Sequence, residues 1–301
     1  MSKLSVIIPS LRDRNLDKTI NDILYKSKGD IEIIVFLDMF ADKFQNIITD
    51  KRVKYLKSKK NTGMRTAINM AVQESTGKYL MKCDSHCSFI DGFDIILKKS
   101  CDKKCISVPT RYNLDQETWK RYGNEINYIF LKFPTFKTAK EFGFRPRLWR
   151  GKHGLIGKFS DINTERRNII IDEIVTFQGS CWFTHRSWFD KIGGLDVNTF
   201  GNFGMEGKEL SFKSWLCGGR VLRDKNAWYA HVPKRRHKLK SIRIEYIRNI
   251  NLVFKKTILG EWDGQTRDLR WFVNRLGPFD GWPDDFDTIE YINYLKKNKY
   301  I

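Results

Sequence analysis

The feature that most limits what this chain can become is an apolar run that stops on two metal-ligand side chains, Tyr79-Leu80-Met81-Lys82-Cys83-Asp84-Ser85-His86-Cys87. The run predicts a buried strand ending at Asp84. Side chains two apart in extended backbone point the same way. Asp84 and His86 therefore aim a carboxylate and an imidazole at one point just past the strand's end, which is the beginning of a divalent-cation site. Open α/β sheets gather ligands at the carboxyl ends of their strands, so the place matters as much as the pair. An Asp-x-His pair alone is common, and the rest of the chain has to give it meaning.

The residues before it supply a frame. Leu4-Ser5-Val6-Ile7-Ile8-Pro9-Ser10 reads as a short buried strand stopped by proline. Asn15 to Lys26 carries apolar residues at 16, 20, 23 and 24, close to helical spacing. Ile31 to Asp38 is a second buried strand ending in a carboxylate, and Val53 to Leu56 a third. Asn61-Thr62-Gly63 opens a helix over Met64 to Glu74. This alternation predicts an α/β, Rossmann-like nucleotide-binding half with a mostly parallel sheet. No Gly-x-Gly-x-x-Gly follows the first strand, and no Gly-x-x-x-x-Gly-Lys-Ser/Thr occurs anywhere. A bound nucleotide diphosphate would therefore depend on a cation for charge neutralisation, which raises the weight of Asp84 and His86.

Beyond a strand at Cys105 to Pro109, residues 110–175 read as largely irregular, basic and aromatic, until Ile169 to Val175 restores a strand. Ser187 to Ile192 is a short helix. The helix after Gly204 has Phe212, Trp215 and Leu216 on one face, is stopped by Gly218-Gly219, and carries Glu206 and Glu209 in its first turn, where the helix dipole favours carboxylates. Val221-Leu222 and Ala227 to Val232 read as two edge strands. After Pro233 a basic run passes into a helix over Ser241 to Thr257, followed by Trp262, Trp271 and Trp282. The expected division is a catalytic domain over 1–232 and a basic, aromatic-containing helical extension over 233–301.

No segment of the 301 residues approaches the roughly 18–20 apolar residues of a membrane span. The N-terminus runs straight into the first strand, leaving no room for a signal peptide. A soluble, cytoplasmic protein is the expectation, with its six cysteines reduced and mostly buried. Lys and Arg number 55 against 35 Asp and Glu, a net charge of +20 that attracts polyanions.

Four ordered blocks now carry a resemblance. They are Ser5-Val6-Ile7-Ile8-Pro9-Ser10, Asp84-Ser85-His86-Cys87, Gly179-Ser180 through Phe189 to Gly193-Gly194-x-Asp196, and Gly204-x-Glu206-x-x-Glu209-x-Ser211-Phe212-x-x-Trp215-x-Cys217-Gly218-Gly219. Together they resemble nucleotide-sugar glycosyltransferases of the GT-A fold, within the broad family 2, and most closely the polypeptide N-acetylgalactosaminyltransferases. The resemblance implies that Asp84, His86 and His231 hold Mn²⁺. It implies that Pro9, Ser10, Asp38, Gly63, Arg65, Asp84 and Ser85 meet a UDP-sugar, and that Gly179, Ser180, Trp182, Glu206 and Glu209 line the acceptor side. One departure stands out. Where inverting relatives place an aspartate base after the glutamate, this chain has Gly207. Either Glu206 approaches the acceptor as the base, or the reaction retains configuration with no dedicated base.

The basic residues suggest the acceptor. Arg145, Arg147, Arg150 and Lys152 interleave with aromatics beside the expected acceptor cleft, and Lys234, Arg235 and Arg236 follow His231. Such a surface suits a phosphate backbone and unstacked bases. The expectation is a phage or viral transferase that glycosylates a hydroxylated base in DNA. The alternatives are a protein or saccharide acceptor, and a catalytically silent nucleic-acid-binding protein on the same scaffold.

Overall fold

The computed structural model describes residues 2–40, 47–126, 168–233, 240–277 and 288–297. Along the chain come β1 (Leu4–Leu11), α1 (Leu16–Lys26), β2 (Ile31–Asp38), β3 (Val53–Lys57), α2 (Met64–Gln73), β4 (Tyr79–Cys83), β5 (Cys87–Phe89) and α3 (Phe93–Ser100). Then follow β6 (Cys105–Leu114), β7 (Arg121–Ile126), β8 (Ile171–Glu173), β9 (Cys181–His185), α4 (Arg186–Lys191), α5 (Val197–Phe200), α6 (Glu206–Leu216) and β10 (Arg220–His231). Helices α7 (Lys240–Leu259), α8 (Leu269–Leu276) and α9 (Thr288–Lys297) close the described chain.

All these strands share one mixed sheet, ordered β3-β2-β1-β4-β9-β6-β10-β5, with β7 paired to β6 and β8 to β10. The four strands β3, β2, β1 and β4 are mutually parallel, and β9 runs antiparallel between β4 and β6. That reversal brings the start of β9 beside the carboxyl end of β4.

Both faces of the sheet are covered, which is why its first strands read as unbroken apolar runs. Val6 and Ile8 of β1 join Ile20 and Ile23 of α1 and Phe93 and Leu97 of α3 on one face. Ile7 points the other way, into a cluster with Ala67 and Ile68 of α2, Trp188 of α4 and Phe212 and Trp215 of α6. Each fully buried large apolar side chain contributes roughly 1.5–3 kcal/mol by area. Ile250 and Val253 of α7 and Phe272 of α8 belong to this second cluster, so the described helices beyond residue 233 share the main core.

Three local expectations need correction. Proline does not stop β1, which continues to Leu11 beside β2. Leu4 donates its N–H toward the β2 side, to Asp30, so alternation turns position 9 toward β4. The β4 pairing has already ended at Ile7↔Lys82, and no ladder bond is lost to Pro9. Residues 110–126 form a hairpin instead of loop, with a register shift between Arg111 and Asn113: Asp115 accepts from the Glu117 and Thr118 N–H groups and shapes the turn between β6 and β7. Finally, Val221 and Ala227–His231 are parts of one interior strand, β10, flanked by β6 on one side and by β8 and β5 on the other. A bulge between Asp224 and Trp228 absorbs the residues that broke the pattern, and Asp224 Oδ1 accepts from the Asn226 N–H inside it.

Candidate active site

Three strands converge to build the site. Asp84 follows β4 and donates its N–H to the Ser180 carbonyl at 2.9 Å, which ties it to the start of β9. His231 ends β10, and antiparallel pairing sets it opposite Cys87 of β5. The ladder runs one step further, with the Val232 N–H donating to the His86 carbonyl at 3.1 Å. Polar residues of α1 fix β5 in turn. Thr19 Oγ1 accepts from the Cys87 N–H, and Asp22 accepts from the Phe89 N–H and the Ser88 hydroxyl. Local sequence thus places each side chain through backbone register.

His231 Nε2 lies 3.0 Å from Asp84 Oδ2 and 3.0 Å from His86 Nε2, and Asp84 Oδ2 is 3.9 Å from His86 Nε2. Donors set at right angles around a first-row cation at about 2.1 Å stand about 3 Å apart. One carboxylate oxygen and two imidazole nitrogens on this spacing fit a divalent cation that accepts mixed oxygen and nitrogen ligands. These are the residues among the described chain whose donor atoms all gather within 4.8 Å of one another.

The surroundings set proton positions. Asp13 Oδ2 faces His86 Nδ1 at 2.8 Å, so that nitrogen carries the proton and Nε2 offers its lone pair inward. Arg111 donates to His231 Nδ1 at 3.3 Å. Arginine only donates, so neutral His231 keeps its proton on Nε2, between Asp84 and His86. A cation held there would take that proton's place. Burial is the main cause that pushes the His231 imidazole down to about 4, against the pull of Asp84. Burial would push the Asp84 carboxyl up, but the Lys82 ammonium, with the His231 hydrogen bond and charge, holds it well below the usual range.

The remaining expected residues fall into groups. Asp38, at the end of β2, accepts from the Thr62 N–H and hydroxyl on Oδ1 and from the Gly63 N–H on Oδ2. It shapes the entry to α2 and retains lone pairs for a ligand. Gly63 has φ +82°, and a Cβ there would lie 2.5 Å from the Asn202 side chain. Ser10 and Ser85 are buried and Pro9 is half-buried near the same edge. Arg65 and Glu209 were both expected at ligands, yet both are fully enclosed. They pair with each other, while Arg65 also donates to the Gly204 carbonyl and Glu209 meets Lys213 and the Asp196 N–H. The structure makes them a brace between α2 and α6.

On the acceptor side, Gly179 faces the Glu206 side chain, with Glu206 Oε2 3.9 Å from where a Cβ on Gly179 would stand. Glu206 Oε1 accepts from the Gly204 N–H at 2.7 Å. Ser180 bonds Gln178 and the Tyr229 hydroxyl, and Trp182 is buried against Phe189. Gly207 has a packing reason: a Cβ there would lie 2.4 Å from the Phe177 carbonyl oxygen. Arg145, Arg147, Arg150, Lys152, Lys234, Arg235 and Arg236 lie outside the described residues.

Sequence reasoning missed Asp13, Lys82, Arg111 and Gln178. Asp13 follows a strand at the same sheet edge as Asp38 and Asp84, and that shared edge was the available signal. Arg111 donates to Gln178 Oε1 at 2.6 Å as well as to His231, but nothing in its sequence context sets it apart.

The sheet order and the metal-ligand cluster define a GT-A transferase fold, and residues 5–193 match the family described as Glycosyl transferase family 2. The chain belongs to this family. Among particular proteins, it is 24% identical over 205 residues to "Probable N-acetylgalactosaminyltransferase 6" of Caenorhabditis elegans, covering 62% of this chain and 30% of that protein. It is 26% identical over 171 residues to human "Polypeptide N-acetylgalactosaminyltransferase 15", covering 56% of this chain and 24% of that one. The chain thus spans about a third or less of these curated relatives. Its fold is similar to the crystal structure of GalNAc-T7 with UDP, GalNAc and Mn²⁺, at TM-score 0.62 and 16% identity, covering 99% of this chain and 55% of that chain. Among the described residues, no helix is long and apolar enough to cross a membrane.

Proposed function

We propose that this protein transfers a sugar, N-acetylgalactosamine being the first to test, from a UDP-sugar to a hydroxyl of a polypeptide, with Mn²⁺ as cofactor. The observation that carries the reading is the convergence of Asp84 Oδ2, His86 Nε2 and His231 Nε2 at one point. A divalent cation held there would supply Lewis-acid stabilisation of the departing diphosphate. Asp84, His86 and His231 would hold it, with Asp13 orienting His86 and Arg111 lying against His231. Pro9, Ser10, Asp38, Gly63 and Ser85 stand on the sheet edge that would receive the nucleotide. Glu206 would be the group nearest the acceptor hydroxyl, its Oε1 fixed by the Gly204 N–H so that Oε2 can accept a proton. Gly207 offers no side chain for that task.

The polypeptide acceptor rests on the names of the relatives. It is preferred to the DNA base expected from the basic residues because relatives such as human "Polypeptide N-acetylgalactosaminyltransferase 15" are named for a polypeptide acceptor. A panel of UDP-sugars with serine- and threonine-containing peptides and with hydroxymethylated DNA, read by mass spectrometry, separates the acceptors. Sugar mass on peptide supports the reading. Sugar on the DNA nucleosides alone overturns its acceptor.

A further inference from the structure

Lys82 leaves β4 on the same side as Asp84 and is enclosed, with 1% of its side chain exposed. Its ammonium donates to Asp84 Oδ1 and, at 2.7 Å, to the Gly179 carbonyl. Glu206 also lies within its electrostatic reach. The Asp84 carboxylate is therefore divided, with Oδ1 given to Lys82 and Oδ2 turned toward His231. A centre built from one aspartate and two histidines has a single formal negative charge to offer a cation. Here that charge is already matched by a buried ammonium, and the Arg111 guanidinium stands on the far side of His231. A divalent ion brought to Oδ2 would feel the ammonium across one carboxylate, at a distance where like charges repel strongly even with substantial screening. Asp13 behind His86 is a second anion beside the site but gives its oxygen to the imidazole, so a nucleoside diphosphate would add the further anionic oxygens that can meet the cation directly.

Resting on the metal-dependent reading above, we infer that Lys82 sets the order of loading. By neutralising Asp84 it keeps the cation weakly held until the diphosphate arrives, so that cation and sugar nucleotide are bound as one unit. Its bond to the Gly179 carbonyl carries the same constraint to the acceptor-side turn, where Gly179 approaches Glu206 and Gly207. Lys82 is on this account a positioning residue. It acts through Asp84 and the charge of the site, with no contact to the reacting atoms.

The test is a Mn²⁺ titration of the full chain, with free Mn²⁺ read by electron paramagnetic resonance, in the absence and presence of UDP. Wild type should bind Mn²⁺ at least about tenfold more tightly with UDP than without. Lys82→Gln keeps an amide donor without the charge, and should bind Mn²⁺ alone about tenfold more tightly than wild type, with a smaller gain from UDP. Lys82→Arg should keep the wild-type pattern. Mn²⁺ binding by Lys82→Gln that is unchanged or weaker overturns the inference and leaves the metal reading standing. Equal Mn²⁺ affinity of wild type with and without UDP overturns the inference as well, and if Lys82→Gln does not fold, Lys82→Met, uncharged and of similar length, takes its place in the comparison. No Mn²⁺ binding by wild type under either condition removes the metal reading itself.

Discussion

His86 Nε2 and His231 Nε2 lie 3.0 Å apart although 145 positions separate them in the chain. The contact is made by backbone register, through Cys87↔His231 pairing and the Val232-to-His86 bond that extends it. Replacing either imidazole would remove one of the three proposed ligands and leave the register intact. Changing His231 to Ala should abolish measurable Mn²⁺ binding by calorimetry while the circular dichroism spectrum stays native.

Asp13 should act one step away. Changing it to Asn removes the carboxylate that fixes the His86 proton on Nδ1, and such outer partners typically account for a 10–100-fold effect on metal affinity. Mn²⁺ affinity should fall by about tenfold or more, with thermal stability nearly unchanged.

The brace between α2 and α6 makes the opposite pattern. Arg65→Met leaves Glu209 enclosed with Lys213 as its remaining cation, and breaking one side of a buried pair costs about 3–5 kcal/mol. Denaturant unfolding should show that loss, and the double change Arg65→Met with Glu209→Gln should recover part of it.

Gly207 gives a steric prediction. Gly207→Ala forces a Cβ to 2.4 Å from the Phe177 carbonyl and should cost about 1–3 kcal/mol by overpacking, read as a lower unfolding midpoint. Gly207→Asp should show at least the same loss and gain no activity, because the helix start is packed too closely on residues 177–179 to admit a base.

Acid should weaken the metal-free protein in a defined window. His231 titrates near 6.5 when unfolded and at about 4 when folded. Between those values the unfolded chain takes up a proton that the folded chain refuses, so stability falls as pH drops from 6.5 to 4. The full loss is up to about 3 kcal/mol, and His231→Gln should flatten the curve across that window.

Much of this was legible in the sequence. The apolar runs ending at Asp38 and Asp84 located one strand end at its residue and placed the other one residue beyond its end at Cys83, because a strand buried on both faces leaves few polar interruptions. What was not legible depends on partners. Pro9 looked like a stop because only the pairing length of β4 shows that its missing N–H costs nothing. The bulge in β10 made one strand look like two. Arg65 and Glu209 read as ligand contacts because residues in a site motif and residues bracing it look alike until burial is known. Lys82 was read as part of a strand, and only its position between Asp84 and Gly179 gives it a role.

Metal-dependent transfer is tested most directly by release of UDP from UDP-N-acetylgalactosamine, with Mn²⁺ or with chelator, by wild type and by Asp84→Asn. Release by wild type should depend on Mn²⁺, and release should be at least about a hundredfold slower in Asp84→Asn, where the one anionic member of the three proposed ligands is lost. Equal release with chelator, or undiminished release by Asp84→Asn, would contradict it.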